Sequence, residues 1–135
     1  MVSFVNIPAS RRLLVSGFTL IELLVVMAII ATLLAIAMPR YFVSLERAKE
    51  ATLRQDLAVM RDAIDKYSGD TGHFPTALPE LVEKRYLRAL PEDPITKSVD
   101  TWTTTASGDA DAPGIMDVHS GAEGNATDGR PYAEL

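Results

Sequence analysis

Glu22 is the only charged side chain between Phe18 and Met38, 21 residues that are otherwise apolar or, at Thr19 and Thr32, hydroxylic. At the centre of a bilayer an acid costs about 2.5–3.5 kcal/mol on insertion scales. Its presence near one end of such a run therefore calls for a positive partner inside the same apolar layer. No Lys or Arg in the run provides one. Hydrolysis of the Gly17-Phe18 peptide bond would, because it leaves a new α-amine at the start of the run that is cationic at neutral pH.

The elements that must position these groups follow from helix geometry. Phe18 and Glu22 are four residues apart, about 6 Å of rise at ~1.5 Å per residue. A second copy displaced by about one turn brings its amine against this carboxylate. A stack of identical, staggered helices results, each acid neutralising the terminus of the next subunit. Such a contact is heterologous and builds rings or open filaments. Arg11 and Arg12 precede the run in a segment without acids, which keeps the N-terminal side cytoplasmic by the positive-inside tendency.

The run Gly17-Phe18-Thr19-Leu20-Ile21-Glu22-Leu23-Leu24-Val25-Val26, preceded by basic residues and closed by Pro39, resembles the prepilin cleavage and methylation motif of the type IV pilin superfamily. The resemblance implies cleavage by a prepilin peptidase after Gly17, N-methylation of Phe18, and a role for Glu22 in subunit assembly. Methylation keeps the amine charged, so the pairing argument is unaffected. The stretch from Phe74-Pro75 to Pro94 is similar to the region after the long helix in major pseudopilins of type II secretion systems. Further partners implied are an inner-membrane assembly platform, minor pilin-like subunits and other copies of the chain in a filament. No enzyme activity is implied.

Length and composition agree with an anchored protein of one domain: 135 residues with a mean hydropathy of +0.10 concentrated in the apolar run. The 21 residues cover about 32 Å as a helix, enough for a ~30 Å hydrocarbon layer. Loss of residues 1–17 takes the chain from 13 basic and 18 acidic side chains to 11 and 18, a net charge near −7. So acidic a surface argues against nucleic acid as a partner. The absence of cysteine excludes disulfide staples in a compartment that would permit them.

The predicted architecture is α+β: a long N-terminal helix, membrane-spanning and then amphipathic, packed against a small C-terminal antiparallel sheet with a long loop. Its segments are a basic leader over 1–17, a transmembrane assembly helix over 18–39, an amphipathic continuation over 40–68 and a head over 69–135. Pro39 lacks an amide donor and predicts a helix break or kink. Leu53, Leu57, Met60, Ile64 and Tyr67 form one apolar stripe. Glu50 with Arg54, and Asp62 with Lys66, have the favourable i, i+4 order. Gly69 is the expected C-cap, and Thr76 the expected cap of a short second helix. Thr101–Thr105 and Gly114–Val118 read as paired strands that pack Trp102, Ile115 and Val118 on the stripe. Residues 119–135 read as irregular loop.

A head of this size benefits from a second support besides its core. The pseudopilin resemblance implies a structural calcium in the C-terminal loop, where Asp117, Glu123, Asn125 and Asp128 offer the hard oxygens calcium takes. Their spacing matches no EF-hand, and the alternative is that they are solvated acids and turn formers. His73 and His119 are too separated for a zinc motif. Ser120-Gly121 beside His119 presents no nucleophile elbow.

The reading is a structural subunit of a type II secretion pseudopilus, single-pass in the bacterial inner membrane with its head periplasmic. Two alternatives stand beside it. One is a major or minor subunit of a surface type IV pilus. The other is a soluble exported protein, for which Ser10-Arg11-Arg12-Leu13-Leu14 is faintly twin-arginine-like and Ala35-Ile36-Ala37 is a possible peptidase site. Against the last, the apolar run exceeds a usual signal core of about 7–15 residues.

Overall fold

The computed structural model describes residues 1–4 and 16–135. Arg11 and Arg12, which carry the leader and twin-arginine readings, lie outside the described residues. The chain divides into two compact units, Met1–Pro39 and Arg40–Leu135. The first helix, α1 (Leu20–Thr71), begins in one and continues through the other.

In the first unit α1 starts where Thr19 caps it: the Glu22 amide donates to Thr19 Oγ1 (3.2 Å) and the Leu23 amide to Thr19 O (3.2 Å). The first bond satisfies an amide that the opening turn leaves without an intrahelical acceptor, and the second is the first i→i−4 bond of the helix. From Leu20 onward the side chains of this unit are exposed all round. An 18-residue window of α1 has a mean hydropathy of 2.8, with none of it buried, so this helix is long and apolar enough to cross a membrane. Helical structure runs through Pro39 without interruption. The expected break is thus corrected: Pro39 is an interior residue of α1 and costs it one backbone hydrogen bond without ending it.

In the second unit the predicted stripe is the floor of the core. Leu53, Leu57, Met60, Ile64 and Tyr67 are all buried, at 0–3% exposure. Burying one such side chain is worth about 1.5–3 kcal/mol, which makes this helix face the main stabilising surface of the head. Leu78, Leu81, Leu87, Trp102, Val118, Tyr132 and Leu135 close over it. The helix passes Gly69, the expected C-cap, and ends at Thr71, with Gly72 at φ +80° taking the left-handed position. Two hydrogen bonds carry it that far: Tyr86 Oη to Asp70 Oδ2 (2.7 Å) and Thr71 Oγ1 to Tyr67 O (2.8 Å).

The second helix, α2 (Leu78–Glu83), has Ala77 at its N-cap and no side-chain cap. Thr76, the expected cap, instead donates its amide (2.7 Å) and hydroxyl (2.8 Å) to Glu80 Oε2. A carboxylate reaching back from the first turn serves where a hydroxyl reaching forward was expected. Two antiparallel strands follow, β1 (Thr103–Ala106) and β2 (Ile115–His119), paired Thr103 with His119 and Thr104 with Val118, with an irregularity between Thr105 and Ala106. The α+β class of the sequence reading holds. Trp102 lies one residue before β1 rather than at its centre, and its indole N–H donates to Pro91 O (2.8 Å).

Residues 119–135 are irregular as expected, apart from His119 at the end of β2 and one 3-10 turn at Tyr132–Glu134. They are not a solvated loop. Ala122, Ala126, Tyr132 and Leu135 are buried in the core, and Asn125 and Pro131 pair as an isolated bridge.

Candidate functional site

The residues expected to serve processing and assembly, Gly17, Phe18 and Glu22, lie together at the start of α1. Gly17 and Phe18 are exposed and precede the first helical residue, so the peptide bond between them lies outside regular structure. Gly17 has nothing within 4 Å of the position a Cβ would take. Phe18, Thr19 and Glu22 line one shallow open groove together with Leu20, Leu23 and Val26. Glu22 follows the Thr19 cap at the third helical position, a capping-box spacing. The cap was legible in the Thr-x-x-Glu pattern but was missed by sequence reasoning, because the membrane cost of the acid dominated the reading. Among described residues the Glu22 carboxylate is exposed and has no hydrogen-bond partner.

The head differs in tying several of its polar groups to named partners. Glu80 accepts from Tyr67 Oη (2.6 Å) as well as from Thr76. The Tyr67 hydroxyl is the main cause that brings the Glu80 carboxyl down to about 2, and the same bond pushes the Tyr67 phenol up to about 12. At neutral pH one stays ionised and the other protonated, which makes the pair a fastener and not an acid–base couple. Burial and neighbouring Asp93 raise the Asp56 carboxyl.

Asp93 is fully buried, a residue to which sequence reasoning gave no role. Its Oδ1 accepts from the Ile95 (2.8 Å) and Thr96 (3.3 Å) amides, and its Oδ2 accepts from Ser120 Oγ. Three neutral donors satisfy a carboxylate that burial alone would penalise. Ser120 and His119 are thereby separated as chemical groups, because the His119 ring faces Asp117 (3.3 Å) and Leu135 O (3.2 Å). Arg61 is a second missed residue. Its guanidinium joins Asp117 (2.7 Å), Val118 O (2.9 Å) and Leu135 O (2.7 Å), fixing β2 and the C-terminal segment to α1.

Of the two i, i+4 pairs, Asp62 with Lys66 forms (2.7 Å). Glu50 with Arg54 does not. Glu50 accepts from the Thr127 amide and from Thr127 Oγ1 (2.7 Å), and Arg54 pairs with Asp128 (2.9 Å). Long-range partners that also cover core surface win over a helix-surface pair worth a few tenths of a kcal/mol.

The calcium candidates do not converge. Asp117 faces Arg61 while Asp128 faces Arg54 and Arg130. No group of three or more His, Cys, Asp or Glu side chains among the described residues is placed to hold a metal ion. Engaged by separate guanidinium groups, the Asp117 and Asp128 carboxylates do not form one set of oxygen donors of the kind calcium takes.

Comparison with known proteins concurs with the N-terminal reading. Residues 13–38 match the prokaryotic N-terminal methylation motif. The type II secretion system core protein G of Escherichia coli is 32% identical over 94 residues, covering 58% of this chain and 65% of that protein. Its counterpart in Klebsiella pneumoniae is 32% identical over 94 residues, covering 58% and 67%. That of Pseudomonas aeruginosa is 33% identical over 95 residues, again covering 58% and 67%. The chain thus spans about two thirds of the length of the relatives it matches, 65% for the Escherichia coli protein. No solved structure matches the chain. With the methylation motif matched over residues 13–38 and this identity to the curated relatives, the chain belongs to the family of the type II secretion system core protein G.

Proposed function

We propose that this chain is a structural subunit of a type II secretion pseudopilus, cleaved by a prepilin peptidase between Gly17 and Phe18, methylated at Phe18 and polymerised through α1. The single observation that carries this is Glu22, an exposed acid in the first turn of an otherwise uncharged apolar helix. In lipid the acid is tolerable once paired, and the amine of another copy's Phe18 is the group that cleavage creates. Apolar packing from Leu20 to Met38 holds the stack, while the head stays outside the membrane on the periplasmic side. An inner-membrane platform and minor pilin-like subunits complete the assembly. Membership in the core protein G family supports the secretion role over a surface pilus.

Two measurements test the proposal. Intact mass of the mature protein should begin at Phe18 and include one methyl group, whereas a start near Met38 supports the soluble exported reading. A deletion strain should lose export of secreted enzymes. Intact secretion with loss of surface fibres instead identifies a pilus subunit.

A further inference from the structure

We propose that the head of this protein is calcium-independent, because Arg54, acting with Glu50, clamps the C-terminal segment where its pseudopilin relationship implies a metal ion.

Two of the carboxylates that would bind calcium, Asp117 and Asp128, are already engaged by the chain's own donors. Asp128 Oδ2 accepts from Arg54 Nη2 (2.9 Å), Arg130 Nε (2.9 Å) and Arg130 Nη2 (2.8 Å), and its Oδ1 accepts from the Arg130 amide (3.1 Å). Asp117 Oδ1 accepts from Arg61 Nε (2.7 Å) and the Val118 amide (2.7 Å), and its Oδ2 faces His119 Nε2 (3.3 Å). Glu50, 5% exposed, has one oxygen on the Thr127 amide and the other on the Thr127 hydroxyl. A divalent cation would have to displace guanidinium groups that carry the same sign of charge and a fixed fork of donors.

The geometry of the clamp follows from helix periodicity. Glu50 and Arg54 are one turn apart on α1, about 6 Å of rise, and they hold consecutive residues, Thr127 and Asp128. The acid takes a neutral donor and the base takes an acid, so the register of the loop on the helix is specified by charge. A single exposed ion pair would be worth little. Here two arginines share one carboxylate, and the buried Glu50 anchors the neighbouring residue. On this grip depend Ala126 and Tyr132, buried at 6% and 7% exposure on either side of it.

The inference concerns the head and does not rest on filament assembly. Its test is thermal unfolding of the full-length chain in detergent, followed by circular dichroism, in EDTA and in millimolar calcium chloride. The unfolding midpoint should be the same in both. Arg54→Gln combined with Arg130→Gln should lower it by about 4 °C or more, with no recovery on adding calcium, and should expose residues 119–135 to limited proteolysis. A wild-type midpoint that rises with calcium and falls with EDTA overturns the proposal. So does a double variant that melts like wild type. The wild-type comparison decides the matter even where the variant does not fold.

Discussion

Glu50, in the amphipathic part of α1, accepts both the amide and the hydroxyl of Thr127, a residue 77 positions away. A buried acid on the edge of an apolar stripe would be a liability if left alone. Paired in this way it joins the longest helix to the segment with least regular structure. The head is built by several such fastenings, and each makes a separate prediction.

Glu22→Ala should leave cleavage after Gly17 intact, since the peptide bond precedes the helix that carries the acid. Filament yield should fall severely, because the amine of the neighbouring copy loses its partner in the apolar layer. Quantifying sheared filaments beside total processed subunit checks this. Wild-type yield from the variant would count decisively against the assembly reading.

Asp93→Ala should destabilise the head by about 1–3 kcal/mol, since it strands the buried Ser120 hydroxyl and the half-buried amides of Ile95 and Thr96. Ser120→Ala should cost less, because the two amides keep their acceptor. Chemical denaturation of the three proteins ranks them, and a reversed order refutes the role given to Asp93.

Gly121→Ala places a Cβ against the carbonyl of Thr101. The neighbour is backbone and cannot swing aside, so a loss of about 1–3 kcal/mol is expected from overpacking. Gly108→Ala, where nothing lies within 4 Å of the new atom, should be close to neutral and serves as the control in the same melts.

Acid should weaken the head in a defined window. The Asp128 and Glu80 carboxyls are both held down at about 2, the first chiefly by the Arg130 amide and the second chiefly by the Tyr67 hydroxyl. For groups whose folded value is depressed, the stabilisation is fully present above the ordinary carboxylate range and is lost as pH falls toward 2. Melting midpoints should therefore decline between about pH 4.5 and pH 2, and the decline should be shallower in Asp128→Asn. At the other extreme Tyr67, raised to about 12, contributes below the ordinary phenol value and ceases to do so as pH climbs through 12.

The sequence by itself determined what depends on local chemistry and periodicity. A lone acid in an uncharged run of 21 residues is legible without coordinates because the bilayer penalises charge regardless of fold. The stripe from Leu53 to Tyr67 is legible because one helix face repeats every three or four residues, and all five of its members are buried. Both strands were visible from their β-branched and apolar residues, to within about two residues at each end.

Tertiary structure alone decided the partners of the polar groups. Arg54 looked like a mate for Glu50 because they are neighbours on a helix, yet each found a better partner in residues 127–128. Arg61 and Asp93 had no role legible in the sequence until β2, Ser120 and the C-terminal segment were brought to them. Gly69 offered a local stop for α1, and bonds made by Asp70 and Thr71 carried the helix past it. Local preferences here are worth a few tenths of a kcal/mol to about 1 kcal/mol. A buried carboxylate without donors costs more than that, so the fold as a whole, and not the neighbouring residues, chose where each charge went.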